Sequence, residues 1–189
     1  MGILFLLSMI CLGAFMVLAT YDGAYLHLWK FELFNHEESR FEHKTHTIRA
    51  ILFPPIVWLL FIDTSQVGFL IGLAMVVADL LVLGADAYSE KESRKFMNGL
   101  PRWEYILHLF ANSLHFAAII LIIATRLRVE AGGITYSSAF QGHPDFETVQ
   151  FIATNILPGA IILGAIHLLL TWEFGRTFWN RNRLSISCC

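Results

Sequence analysis

The chain has 189 residues, of which 56% are hydrophobic and only 15% charged, with a formal net charge of -2. That balance lies outside the range of soluble globular domains and within that of integral membrane proteins. The near-neutral charge, without a basic tract, argues against nucleic acid as a partner.

Five apolar segments are each long enough to cross about 30 Å of hydrocarbon. They fall at roughly 3–29, 43–62, 67–88, 103–125 and 149–173. The first lacks a basic leader and reads as a retained span rather than a signal peptide. Asp63, Thr64, Ser65 and Gln66 make a tight turn between the second and third spans, and residues 129–148 form a longer loop before the fifth. Backbone groups in lipid must pair within their own segment, so spans of this length are helices. The expected fold is an all-α integral membrane protein, a single five-transmembrane-helix bundle.

Alternating the spans assigns every basic residue to a side. Lys30, Arg40, Lys44, Arg49, Lys91, Arg94, Lys95, Arg102, Arg176, Arg181 and Arg183 fall together, against Arg126 and Arg128 on the side of Met1. The positive-inside rule then places the N-terminus outside and the C-terminus in the cytoplasm. The terminal Cys188 and Cys189 are a candidate for lipidation.

Polar residues gather in the same half. Glu104, His108 and His115 have spacings that keep them on one face of the fourth helix, and Asp79, Asp86 and Glu90 do the same on the third. His43 and His46 enter with the second helix, His167 with the fifth, and Asp22 and His27 with the first. Ionisable groups near a bilayer centre cost roughly 2.5–3.5 kcal/mol each, so they must pair, bind a cation or line a polar path. Imidazole mixed with carboxylate suits zinc or non-haem iron. The expected ligands are His43, His46, Asp79, His108, His115 and His167, around one or two ions. Asp86 and Glu104 are the candidate catalytic carboxylates, with Asp22, Glu104 or Arg49 orienting ligands. His36, Glu37, Glu38, Glu90 and Glu92 flank the spans and are expected in solvent or among headgroups, and His27 at the interface.

The expected function is a membrane-embedded metalloenzyme acting on an apolar or lipid-like substrate from the cytoplasmic side, an oxidoreductase before a hydrolase. Iron would require an electron donor. The alternatives are a carrier of haem b with axial ligands from His108 or His115 against His46 or His167, a transporter with the same residues along its path, and interhelical hydrogen bonding alone. The HxxxH clusters of membrane di-iron desaturases are absent: the chain has one HxxH, His43 and His46. Pro54, Pro55 and Pro158 are expected to bend their helices near the site.

Overall fold

The computed structural model describes residues 1–187, and the side chains of residues 1–183. Cys188 and Cys189 lie outside the described residues. The structure is 80% helical and has, among the described residues, five helices long and apolar enough to cross a membrane.

Helix α1 (Gly2–Thr20) widens without a break into a π-helical segment, Tyr21–Lys30. Helix α2 (Arg40–Val57) ends in a second one, Trp58–Ile62. Helices α3 (Gln66–Ser93), α4 (Arg102–Arg126), α5 (Pro144–Leu170) and α6 (Glu173–Ser187) follow. Local chemistry sets several boundaries. Ser65 caps α3 by accepting from the Gly68 amide at 3.0 Å. Pro101 precedes α4, and Pro144 opens α5 behind a His143 cap.

The differences from the expected spans are at the ends. The third helix runs on to Ser93, and Gln66 belongs to it rather than to the turn. The 129–148 connection is not simply a loop. It contains a hairpin, β1 (Leu127–Glu130) paired antiparallel with β2 (Gly133–Tyr136), and α5 starts inside it. The fifth span stops at Leu170, and Glu173 opens α6 instead of closing α5. Gly175 permits that sharp turn, because a Cβ there would lie 2.0 Å from the Leu169 carbonyl oxygen.

Around the bundle, α1 packs on α4 and α5, and α2 packs on α3 and α5. The contacts use small residues. Ser8 donates to the Ala118 carbonyl across α1 and α4 at 2.8 Å. Pro54 leaves the Ala50 carbonyl without its helical donor, and Gly164 of α5 packs against that oxygen, where a Cβ would sit 3.0 Å away.

The bundle is divided by polarity. The half containing Met1 is a continuous apolar core built on Phe5, Leu12, Leu60, Phe69, Ala118, Ile122 and Phe146. Its end is closed by Arg126, which donates to the Asp63 carbonyl at 2.7 Å and lies over the Phe140 ring at 4.5 Å. The other half, where α1 ends and α2 begins, holds the polar residues.

Candidate metal centre

Each helix presents one stripe to the polar half. On α2 it is Glu42, Thr45, His46 and Arg49, at three- and four-residue steps. On α3 it is Asp79, Asp86 and Glu90, and on α4 Glu104, His108, Asn112 and His115. The first helix contributes Asp22 and His27, five residues apart. An α-helix would turn these side chains away from each other, whereas π-helical winding closes i to i+5 and brings them together. The His27 Nε2 to Asp22 Oδ1 distance is 3.3 Å.

The centre is built on Asp22. Its Oδ1 lies 3.1 Å from His108 Nε2 as well as 3.3 Å from His27 Nε2. The other nitrogen of His108, Nδ1, donates to Glu90 at 2.8 Å. A neutral imidazole has one N–H and cannot donate to two carboxylates. As an imidazolium His108 donates to both carboxylates; as a neutral ring with its N–H on Nδ1 and held by Glu90, its Nε2 would present a lone pair to an ion seated at Asp22. That is how a metal-ligating histidine is usually oriented.

A second group adjoins it. The His27 and His46 rings meet edge to face with centroids 4.2 Å apart. His46 Nε2 lies 3.2 Å from Asp86 and 3.7 Å from Glu42, yet is aligned for a hydrogen bond with neither. Thr45 donates to Asp86 from the other side. Thus Asp22, His27 and His108, and again His27, Glu42 and His46, offer ligand atoms within 4.8 Å of one another.

Arg94 closes the end of the centre. It is fully buried, pairs with Glu42 at 2.7 Å, and donates to Glu104 through both Nε and Nη2. Burial opposes the charge on this guanidinium, but Glu42 and Glu104 outweigh it and raise its pKa further. His27 Nδ1, Glu42 Oε1, His46 Nε2 and Glu104 Oε2 are buried without a hydrogen-bond partner among the described residues. Such atoms are costly to leave bare.

Further into the bundle Asp79 accepts from Arg49 Nε at 3.0 Å and from His115 Nε2 at 3.1 Å, and Arg49 also donates to Asn112 at 2.9 Å. His108 and His115 are seven residues apart, about 10 Å of helical rise. A cavity of about 120 Å³ lies between these two polar layers, bordered by Asp22, His46, Asp86 and His108 on one side and by Arg49, Asp79, Asn112 and His115 on the other.

The expected ligand set is therefore divided. His46 and His108 are in the centre. Asp79 and His115 form a separate pair with Arg49. His167 reaches the cavity wall, but its ring stacks on His43 at 5.4 Å and its carbonyl accepts from His43 Nε2 at 3.2 Å. His43 is off the inward stripe of α2 and faces α5 and Phe34. Of the two candidate catalytic carboxylates, Asp86 is beside His46, while Glu104 is held by Arg94.

Two residues expected at the periphery are buried here: Glu90 carries His108, and His27 is completely enclosed. Two more join the centre from outside the expected site, Glu42 beside His46 and Arg94 as an internal counter-ion. Glu42 shares its helix face with His46 and Arg49, a signal present in the sequence. His36 stacks on Phe96, while Glu37, Glu38 and Glu92 are exposed as expected.

Comparison of the chain with protein-family models, with characterised proteins and with solved structures finds no match.

Proposed function

We propose that the chain is a multi-pass membrane metalloenzyme whose His/carboxylate centre holds one or two iron or zinc ions in the cytoplasmic half of the bundle. One observation carries this reading. Asp22, Glu42, Asp79, Asp86, Glu90 and Glu104 are six buried carboxylates, and the guanidiniums paired with them are the two of Arg49 and Arg94. With the histidines neutral, as metal ligation requires, the excess is four negative charges in a low-dielectric interior, where unpaired charge is expensive. Two divalent cations would neutralise it. The bare Glu42 Oε1 and His46 Nε2 lie beside His27, where such an ion would bind.

Asp22, His27 and His108 would hold one ion, with Glu90 orienting His108. Glu42 and His46 would hold the other beside His27, with Asp86 completing the oxygen donors. Nitrogen and oxygen donors without thiolate suit iron and zinc and disfavour copper(I). Carboxylate-rich pairs of sites inside helix bundles suit iron in particular, which favours an oxidoreductase over a hydrolase and calls for an electron donor. The membrane lipids and an apolar or lipid-like substrate would be its partners. The orientation follows the basic residues toward the end of the bundle nearest the centre, which outnumber Arg126 and Arg128 at the other.

The two other readings have less support. A cavity of about 120 Å³ is smaller than the roughly 150 Å³ engineered cavity that holds benzene, and haem is several times larger than benzene. A transporter needs polar groups through both halves, and the half containing Met1 is apolar.

The test is metal content in variants. His46→Ala and His108→Ala should each lower bound iron or zinc to well under half of the wild-type value. His143→Ala, at the far end of the bundle, should leave it unchanged. Equal metal content in all three would overturn the assignment.

A further inference from the structure

The two polar layers around the cavity are not alike. The centre with Asp22 and His108 is rich in acceptors, whereas the Arg49 layer has donors to spare. Asp79 accepts from Arg49 Nε and from His115, and Asn112 Oδ1 accepts from Arg49 Nη2. Arg49 Nη1 and Asn112 Nδ2 make no hydrogen bond among the described residues, and both residues line the cavity. The side walls between the layers are apolar, with Phe15, Phe53 and Ala111 among them.

We propose that this cavity is a binding site for a small neutral aliphatic molecule bearing one oxygen acceptor, an alcohol or carbonyl compound, with its oxygen on Arg49 and Asn112 and its carbon end toward the metal centre. Its assignment as the substrate rests on the metalloenzyme reading, whereas the binding itself does not.

Size, charge and polarity each restrict the ligand. The volume of about 120 Å³ admits a molecule of about six non-hydrogen atoms or fewer, judged against the benzene cavity. The charge on Arg49 is already met by Asp79. A carboxylate ligand would add to a surrounding that is anionic already, so the acceptor is neutral. An alkane would leave the two free donor groups desolvated and unpaired, which costs more than a hydrogen bond gains.

The geometry also orients the ligand. Asn112 lies between His108 and His115 on α4, one turn from His108. An oxygen held there directs a chain of four carbons along Ala111 toward the nitrogen atoms of His46 and His108. The carbons beyond the oxygen-bearing one, rather than the oxygen itself, are then the atoms nearest His46 and His108.

The experiment uses the full chain in lipid nanodiscs, stripped of metal by chelator so that binding is read independently of any metal. Thermal unfolding is followed against increasing butan-1-ol, butyrate and pentane, in wild type and in the cavity-filling variants Ala111→Phe and Ala160→Leu. General effects on the bilayer are common to all proteins in the series, so the readout is the difference between wild type and a filled variant. Two fillings at different helices are included so that the test does not depend on the fold accepting one particular substitution. Butan-1-ol should raise the wild-type midpoint saturably and leave the filled variants unmoved. Asn112→Ala should weaken its binding at least tenfold, and butyrate and pentane should bind at least tenfold more weakly than butan-1-ol. Pentane binding as well as butan-1-ol would overturn the acceptor argument, and tighter binding of butyrate would overturn the charge argument. No saturable shift with any probe would mean that the cavity holds water only. A metal-free wild type that binds butan-1-ol as described would leave this site standing even if no metal were ever found.

Discussion

Replacing Arg94 with Gln removes the one cation that neutralises Glu42 and Glu104. Both carboxylates are 0% exposed, so neither can recover its lost partner from water. Removing one member of a buried ion pair costs about 3–5 kcal/mol. Glu42 and Glu104 share a single guanidinium, so the loss counts once rather than twice, and about 3–5 kcal/mol is the expected drop for metal-free Arg94→Gln. Adding Glu42→Gln and Glu104→Gln removes the stranded charges and should recover at least half of it. Metal should also reduce the loss, since an ion held by Glu42 and His46 takes over part of the neutralisation. The assay is unfolding by SDS titration in mixed micelles, with chelator and with added zinc. A drop below about 1 kcal/mol in the metal-free variant, or no recovery on neutralising the two glutamates, would refute the view that Arg94 is a buried counter-ion.

Other outcomes follow from particular contacts. Asp22→Ala should lower bound metal as strongly as His108→Ala, because His27 and His108 meet at its Oδ1; retention of full metal content would show that Asp22 is only a hydrogen-bond acceptor. Gly164→Ala should cost about 1–3 kcal/mol by pressing on the Ala50 carbonyl, read in the same SDS titration, and Gly164→Val more. Asp63 accepts from the Ser65 hydroxyl at 2.7 Å, which holds its carboxyl below the usual range. A lowered folded-state pKa gives stability that is present above the unfolded value of about 3.9 and lost as pH falls through the folded one. The gap in unfolding midpoint between wild type and Asp63→Asn should therefore close as pH falls below about 4.

How far the sequence reveals this arrangement differs from residue to residue. The five helices are legible because length and hydropathy alone determine them. His108, Asp86 and His46 are legible because α-helical periodicity holds throughout α2, α3 and α4. Asp22 and His27 are not, since their partnership depends on π-helical winding, and no spacing rule for an α-helix puts residues five apart side by side. Arg94 and Glu90 read as surface charges from their place at the end of a span. Their burial is a tertiary effect: the chain turns through the 3₁₀ segment Lys95–Met97 to Pro101, and Glu104 and His108 of α4 then reach Arg94 and Glu90. His43 and His46 look equivalent in an HxxH pair, but three residues of helix separate a side chain facing α5 from one facing the centre. The boundary between α5 and α6 is hidden for a related reason, because hydropathy continues past Leu170 while the backbone turns at Thr171 and Trp172.

The central claim is that the buried carboxylate excess is balanced by metal. The most direct measurement is elemental analysis of the wild-type protein, purified in lipid and detergent without added metal or chelator, alongside its molar concentration. The account predicts between one and two equivalents of iron or zinc per chain, retained because closed His/carboxylate sites bind tightly enough to survive purification. Less than about a tenth of an equivalent of any transition metal, in protein that is folded and monodisperse, would contradict it.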